Sequence, residues 1–544
     1  MRIFLSVLGM LLPLISFSQP IVLVKDIYTG SQGSAPFNYV INAAKDKACF
    51  LAYGNTNRIG LWITDGSTNG TSLVKENLTN DATYYPVKPV FYNGYWYFST
   101  DDGINGTELW KTDGSVAGTV LVKDIFPGSN SSYATGFVEY NNVLYFRAAN
   151  ALPEDEMFTY KFYLWKTDGT AGGTVQVDNT VTVEGEEYIV FNGQLYFYGN
   201  TTTTGSELYY TDGSAVTLLT DINSSGNSEA KNMIQLNSEM LFFANDGVTG
   251  PSLWKSDGTS ANTQLVKDFD PNTPYWGKYS ASPAKVFNNE LYFDASDGMN
   301  NNELWKTDGT SAGTVMVKDI GPAGSGLIDL DAVEYNGRLY YTAASENGTS
   351  GMSIWTSDGT TSGTYLFKEI NATSFGTPYG YFIYSDKFYF AASTPYFGTE
   401  LWKSDGIEAN TVMAYDLNSS NASGIGSLEH VILSNNEVLL SGTTNWEGEE
   451  LFKFVDTGHD AIVSSVSDEE LNLFPNPAHD QLMIHSSQNL QNIYVLDVMG
   501  IQRLEVESLN KDYSLDISSL EKGMYIVKVQ MENGSFVQRK IVKE

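Results

Sequence analysis

The segment Glu108-Leu109-Trp110-Lys111-Thr112-Asp113-Gly114 recurs along the chain and decides its fold. Neighbouring copies are spaced by about 49 residues, which is the repeat length of four-stranded propeller blades. The repeats therefore predict an all-β propeller. The aromatic position of the motif is occupied by Trp62, Trp110, Trp165, Tyr209, Trp254, Trp305, Trp355, Trp402 and Phe452.

Each repeat can be divided into four strands, A to D, from the inside of the propeller outwards. The turn between strands A and B is often an Asn-Gly pair such as Asn336-Gly337, which accepts the positive φ angles of a type I′ hairpin. Strand C carries the motif, as in Glu303-Leu304-Trp305, where adjacent Leu and Trp side chains point to opposite faces. Both faces are therefore expected to be buried between neighbouring blades.

The two ends of the repeat array complement each other. The segment Ile21 to Ile27 has the pattern of a strand D with no strands before it, while the last repeat ends near Phe454 without a strand D. Pairing of these two ends would close the ring and remove both open sheet edges. We therefore predict a closed propeller of about nine blades over residues 19–457, with eight blades as the alternative.

The repeats resemble the ELWxxDGT repeat family of exported bacterial proteins. Glu108 to Ser115 and Glu303 to Thr310 match the family motif closely, while Tyr209, Ile407 and Phe452 depart from it. The resemblance implies a fold and carries no activity with it.

The N-terminus has the layout of a secretory signal. A single positive charge at Arg2 precedes an apolar run from Ile3 to Ile15 and then small residues around Ser16 and Ser18. We predict a signal peptide over residues 1–18. No later apolar run reaches the roughly 20 residues needed to span a bilayer, so no transmembrane segment is expected in the mature chain.

The C-terminal part resembles the type A sorting domain of the bacterial type IX secretion system. The resemblance covers residues 470–544 after a polar linker over 458–469, and short alternating strands there predict an immunoglobulin-like β-sandwich. It implies handling by the secretion machinery and a location that is secreted or attached to the outer-membrane surface, usually with removal of the domain. A carbohydrate-binding sandwich is the alternative. The matching motif residues are Pro475, Asn476, Pro477, Asp480, Gly500, Gly523, Tyr525 and Lys540.

Composition excludes several kinds of partner and site. The 544-residue chain has a formal net charge of -33, which repels the phosphate backbone of nucleic acids. One cysteine and four histidines give no basis for a metal site or a redox site, and we expect no cofactor. The repeated Asp of the turn between strands C and D is interpreted as a turn residue, because the Asp-Gly-Thr sequence lacks the alternating acids of an EF-hand calcium loop.

Two classes of function stay open. A sialidase-like site would need clustered arginines, and the repeats hold only Arg58, Arg147 and Arg338. No trio of residues for nucleophilic catalysis is visible. We favour a secreted or cell-surface binding module for a glycan or a surface protein. The alternative is an extracellular carbohydrate-active enzyme that uses paired Asp or Glu carboxylates.

A ligand site is predicted on one face of the ring. The A–B and C–D turns are short and repetitive, whereas the D–A and B–C connections at the other end of the strands vary. Aromatic and acidic residues on such connections can hold sugars or peptides. The alternative is that the aromatic residues fill the central channel. The predicted ligand-binding residues are Tyr275, Trp276, Tyr379, Asp246 and Asp297.

Overall fold

A computed structural model gives the fold of the protein. It describes residues 21–543 except 31, 57, 77, 79–87, 152–159, 270–284, 298–301, 321–329, 345–350, 371–376, 396, 419–421, 445–447, 457–470, 476–477, 487–488, 498–501, 508–509 and 533–535. The predicted signal peptide and the whole of the predicted linker lie outside the described residues.

The strands of the repeats follow one another in groups of four, here numbered as units along the chain. The first strand, which precedes unit 1, is β1 (Ile21–Lys25). Unit 1 comprises β2 (Phe37–Ile41), β3 (Ala48–Tyr53), β4 (Ile59–Thr64) and β5 (Ser72–Glu76). Unit 2 comprises β6 (Val90–Tyr92), β7 (Tyr95–Asp101), β8 (Thr107–Thr112) and β9 (Val120–Lys123). Unit 3 comprises β10 (Thr135–Tyr140), β11 (Val143–Ala149), β12 (Phe162–Thr167) and β13 (Val175–Gln176).

The middle of the array continues this order. Unit 4 comprises β14 (Thr182–Phe191), β15 (Gln194–Thr201), β16 (Gly205–Thr211) and β17 (Val216–Thr220). Unit 5 comprises β18 (Lys231–Leu236), β19 (Glu239–Asn245), β20 (Pro251–Ser256) and β21 (Gln264–Lys267), with a 3₁₀ helix at Ser260–Asn262. Unit 6 comprises β22 (Lys285–Phe287), β23 (Glu290–Ala295), β24 (Glu303–Thr307) and β25 (Val315–Lys318).

The last units complete the array. Unit 7 comprises β26 (Ala332–Tyr335), β27 (Arg338–Ala344), β28 (Met352–Ser357) and β29 (Tyr365–Lys368). Unit 8 comprises β30 (Tyr379–Tyr384), β31 (Lys387–Thr394), β32 (Gly398–Ser404) and β33 (Val412–Tyr415), with a 3₁₀ helix at Glu408–Asn410. Unit 9 comprises β34 (His430–Ile432), β35 (Val438–Thr444) and β36 (Gly448–Phe454).

Each unit forms an antiparallel sheet in chain order, which confirms the all-β fold and the four-strand interpretation of the repeat. Units 3 and 4 share one sheet, because Tyr163 of β12 also pairs with Thr182 of β14. The predicted A–B hairpins are present: Asn192 and Gly193 have φ angles of 46° and 75°, as a type I′ turn requires.

Neighbouring units are joined by buried apolar clusters, because strand C buries both of its faces. Leu304 is fully buried towards unit 7, among Phe287 and Leu339, while the adjacent Trp305 packs towards unit 5 against Val266 and Phe269. The alternation predicted for Leu and Trp is therefore confirmed. Burial of this kind on both faces supplies most of the favourable free energy of folding for such a sheet.

The first strand joins the last unit. Strand β1 pairs antiparallel with β36 and becomes the fourth strand of unit 9. It also makes the contact with the following unit that an ordinary strand D makes: Lys25 Nζ donates to the Thr71 carbonyl at 2.6 Å, as Lys318 Nζ donates to the Thr364 carbonyl at 2.8 Å. These contacts agree with a closed ring, and ring closure and blade number stay predictions.

The C-terminal part forms two sheets around one core. Its strands are β37 (Leu471–Phe474), β38 (Gln481–Ser486), β39 (Leu490–Asp497), β40 (Gln502–Glu507), β41 (Asp512–Asp516), β42 (Gly523–Met531) and β43 (Phe536–Lys543). The sheet orders are β37-β38-β41 and β40-β39-β42-β43. Leu482 and Ile484 of the first sheet share a buried cluster with Val527 and Val529 of the second, so the part is a β-sandwich. The described residues contain no helix that is both long and apolar enough to cross a membrane.

Candidate functional site

The repeated aspartate of the C–D turn is held by its own turn. In unit 6, Asp308 Oδ1 accepts hydrogen bonds from the Thr310 backbone N–H at 2.8 Å and from the Thr310 hydroxyl at 2.7 Å. The side-chain bond from Thr310 is the main cause that lowers the pKa of the Asp308 carboxyl. The interpretation of this residue as a turn residue is confirmed. The same bonds recur at Asp65, Asp113, Asp168, Asp212, Asp257 and Asp358.

A pair of hydroxyls closes the base of the same turn. Thr307 Oγ1 lies 2.7 Å from Thr314 Oγ1 and also accepts the Gly309 backbone N–H at 3.0 Å. Gly309 has a φ angle of 88°, a conformation that favours glycine. The polar residues of the Thr-Asp-Gly-Thr part of the motif are thus used to build the turn, while Lys306 Nζ donates to Glu290 of β23 at 3.0 Å.

The glutamate of the repeat motif has a structural role that the sequence analysis did not assign. Glu108 is fully buried, and its carboxylate accepts the backbone N–H of Ile125 at 2.8 Å, that of Phe126 at 3.3 Å and that of Ser132 at 3.0 Å. The Ser132 hydroxyl donates a fourth bond at 2.7 Å. Burial raises the pKa of this carboxyl to about 7, and the four hydrogen bonds oppose that rise. Glu108 therefore fixes the connection from strand D to the next unit.

The same glutamate bond is made across the junction of the two chain ends. Glu450 in β36 accepts the backbone N–H of Ile27 at 2.7 Å and the Ser34 hydroxyl at 2.6 Å. Burial raises the pKa of the Glu450 carboxyl to about 7. The sequence contains one signal for this bond between a motif glutamate and the next connection. A serine lies downstream of the glutamate, as Ser132 lies 24 residues after Glu108.

Two predicted ligand-binding acids lie on the B–C connections, as expected. Asp246 follows β19, and its Oδ1 accepts the backbone N–H groups of Val248 at 2.8 Å and Thr249 at 2.7 Å. Asp297 follows β23 in the next unit and is half-buried. Asp246 thus has a turn-forming role of its own, and a ligand-binding role for either acid stays a prediction.

The aromatic residues of the predicted site are only partly described. Tyr275 and Trp276 lie outside the described residues. The loop position expected for Tyr379 is wrong, because Tyr379 is the first residue of the inner strand β30. Its hydroxyl donates to the Gly426 carbonyl at 2.9 Å, which ties unit 8 to the connection entering unit 9. Tyr379 belongs to unit 8, whereas Asp246 and Asp297 belong to units 5 and 6.

The sorting-motif residues that the structure describes lie at strand ends and in the sandwich core. Pro475 follows β37, and Gly523 begins β42. Tyr525 is buried in the core and donates its hydroxyl to the Glu521 carbonyl at 2.9 Å. Asp480 accepts a hydrogen bond from Lys543 Nζ at 3.2 Å, which connects the motif to the last strand. Asn476, Pro477 and Gly500 lie outside the described residues, and Lys540 is described only as part of β43.

The comparison with protein families identifies the C-terminal part. Residues 472–544 match the family described as the secretion system C-terminal sorting domain. The chain therefore carries a type IX sorting domain, is handled by that secretion machinery, and is secreted or attached to the outer cell surface. The resemblance of the repeats to the ELWxxDGT family stays a prediction. No curated protein matches the chain.

The chain is similar, at low sequence identity and low TM-score, to several solved structures. One is PorZ, an essential bacterial surface component of the type IX secretion system of Porphyromonas gingivalis, with 13% identity and a TM-score of 0.26 over 93% of this chain and 81% of that chain. Another is the β-propeller domain of the Trilobed protease from Pyrococcus furiosus, with 10% identity and a TM-score of 0.31 over 51% and 82% of the two chains. A third is a puromycin-hydrolysing peptidase of Mycobacterium tuberculosis, with 10% identity and a TM-score of 0.36 over 66% and 57%.

Proposed function

We propose that the propeller is a binding module that acts outside the cell after export. The repeated polar residues support this proposal, because they are used within the fold. Asp308 is bonded to its own turn, and Glu108 is bonded to the connection that follows its unit. Among the described residues, no group of three or more His, Cys, Asp or Glu side chains could hold a metal ion.

The variable face supplies the surface for recognition. The D–A connections run from 177–181, which is short, to 268–284, which is long, while the C–D turns, such as 65–71, 113–119 and 308–314, all have seven residues except 212–215 in unit 4. Connections that vary on a constant scaffold are where binding residues are usually found. The long connection 268–284 contains the predicted Tyr275 and Trp276, so it is the part of this face that we assign to the ligand.

A glycan or a protein of the bacterial surface is the ligand class that fits the aromatic and acidic residues of this connection. The test is a glycan array, with isolated outer-membrane proteins as a second probe set, read with the purified secreted protein. We expect binding that is lost in the double variant Tyr275→Ala and Trp276→Ala. Tyr365→Ala is the matched control, because it removes an exposed aromatic ring from the first residue of β29, next to the C–D turn and away from the variable connections. Unchanged binding by the double variant would show that the ligand lies elsewhere.

A further inference from the structure

The sorting domain and the propeller share a buried apolar cluster. Leu496 of β39 and Ile526 of β42 belong to the same cluster as Phe397, which lies between β31 and β32 in unit 8. Their exposed fractions are 1% for Leu496, 4% for Ile526 and 2% for Phe397. The two domains are therefore in direct contact in the unprocessed chain.

The alternation of β42 shows which side of the sandwich makes this contact. Tyr525, Val527 and Val529 point into the core of the sandwich. Ile526 and Lys528 point the other way, to the outer face of the sheet, where an isolated sandwich would meet water. That outer face is covered by the propeller in the described structure.

Lys528 carries the polar part of the contact. Its Nζ atom lies 5.6 Å from the centre of the Phe397 ring, within the range of a cation–π interaction, and only 6% of the residue is exposed. Burial lowers the pKa of the Lys528 ammonium group, and the carboxylate of Asp416 opposes that change. Asp416 directly follows β33, so the ring and the acid that interact with this ammonium group both belong to unit 8.

Unit 8 departs from the repeat pattern at the position of Phe397. The residue three before the motif glutamate or its equivalent is polar in units 2, 4 and 5, where it is Asn105, Thr204 and Thr249. In unit 8 it is Phe397. Unit 3 carries the aromatic Tyr160 at this position, while unit 8 carries the fully apolar Phe397, and an apolar side chain at this end of a repeat fits a partner that covers it.

We propose that unit 8 carries a docking site for the chain's own sorting domain, in which Phe397 and Asp416 hold Lys528 and the outer face of β39 and β42. Phe397 lies on a B–C connection and Asp416 at the start of a D–A connection, so the site is at the variable end of the strands. Removal of the sorting domain, which the sequence resemblance implies, uncovers this part of the propeller. The site thus stays covered until the domain is removed.

Amine labelling of the full-length protein tests the proposal at a single residue. The protein is treated briefly with an acetylating reagent, and the modification of each lysine is quantified by mass spectrometry. Lys522 is exposed in the same domain and is the internal reference. We expect Lys528 to react at least tenfold more slowly than Lys522. A lowered pKa would by itself speed the reaction, so slow labelling reports the docking. Equal rates in the wild-type protein would overturn the proposal.

The variants separate docking from folding. Phe397→Asn places in unit 8 the residue that unit 2 already carries, and we expect it to bring the rate of Lys528 to within threefold of Lys522. Ile526→Lys disrupts the same contact from the sorting domain and should have the same effect if the first variant folds poorly. Asp416→Asn should give a partial increase, while Asp319→Asn, at the equivalent place in unit 6, should give none. Continued protection of Lys528 in both Phe397→Asn and Ile526→Lys would overturn the proposal.

Discussion

Ile21, at the start of the first described strand, is the antiparallel partner of Phe454, the last residue of the strand that ends the repeats. The two residues are buried in one cluster with Phe382 and Tyr389 of unit 8. Residues from the two ends of a long array thus complete the core between units 8 and 9. An open array would leave this sheet without its outer strand and with an unpaired edge.

Removal of residues 19–27 should destabilise the protein and promote association. The deletion takes away β1 and the Ile27 backbone N–H that bonds Glu450 at 2.7 Å. Thermal unfolding should then begin at a lower temperature, and light scattering should show oligomers formed through the exposed edge of β36. A monodisperse protein with an unchanged melting temperature would contradict ring closure.

Two point variants of β1 provide a matched control. Val24 is 3% exposed and Val22 is 39% exposed in the same strand. We expect Val24→Asp to lower the melting temperature by several degrees, because it buries a charge. Val22→Asp should leave the melting temperature nearly unchanged.

Truncation of a motif glutamate should lower the free energy of unfolding more than truncation of a surface glutamate. Glu108→Ala leaves the N–H groups of Ile125 and Phe126 without their acceptor, while the Ser132 N–H keeps its bond to the Thr107 carbonyl at 3.0 Å. An unsatisfied buried donor costs roughly 1–3 kcal/mol. We therefore expect the variant to lose about 3 kcal/mol in the free energy of unfolding. Glu139→Ala, at an exposed position of β10, is the control and should change it by less than about 0.5 kcal/mol. Denaturant unfolding measures both values.

The same glutamates predict how stability changes with pH. Burial raises the pKa of Glu108 and of Glu450 to about 7, from an ordinary value of 4.5. The folded state therefore holds protons that the unfolded chain releases, and the free energy of unfolding falls as the pH rises from about 5 to about 8. We expect Glu108→Gln, which does not titrate, to show a smaller fall in melting temperature over this range. A stability that rises from pH 5 to pH 8 would contradict the assignment.

The sequence alone predicts those features that depend on neighbouring residues or on the pattern of the repeats. The C–D turn around Asp308 and the hairpin at Asn192 and Gly193 depend on neighbouring residues, so their geometry follows from the motif. The outer-strand character of Ile21 to Ile27 could be recognised because the other repeats supply the pattern. By contrast, Glu108 bonds to a connection outside its own motif, where repeat patterning is weak.

The contact between Phe397 and Lys528 could not be found in this way, because it joins two domains with unrelated patterns. The one indication in the sequence is that Phe397 replaces the polar residues found at this position in units 2, 4 and 5. Tyr379 was misplaced for a similar reason. The boundary between a D–A connection and strand A depends on where pairing with the next strand begins, and Tyr379 pairs with Ala391 across a register shift that the motif does not encode.

Replacement of a turn aspartate should affect stability and leave recognition unchanged. Asp308→Ala removes two hydrogen bonds at the end of the strands opposite the variable connections. We expect a loss of about 1 kcal/mol in the free energy of unfolding, as for other local side-chain bonds to backbone. Binding in the array experiment should be equal to that of the wild-type protein. Loss of binding with retained folding would move the ligand site to the C–D face.

Deletion of residues 470–544 should leave a folded propeller inside the cell envelope. The matched sorting domain lies wholly in this segment, while the strands of unit 9 end at Phe454 and pair with β1 without any part of it. The N-terminal signal should still carry the shortened chain across the inner membrane, so we expect it in the periplasm. Fractionation and immunoblotting measure its location, and resistance to trypsin measures its folding.

The deletion also uncovers Phe397, which is 2% exposed in the full chain. A second version that carries Phe397→Asn therefore separates a sorting defect from retention caused by an exposed apolar side chain. Both versions should stay in the periplasm if the sorting domain is what the secretion machinery reads. Surface or medium levels equal to wild type for either version would contradict this assignment. Release of the Phe397→Asn version alone would show that the uncovered docking site, and not the missing sorting domain, causes retention.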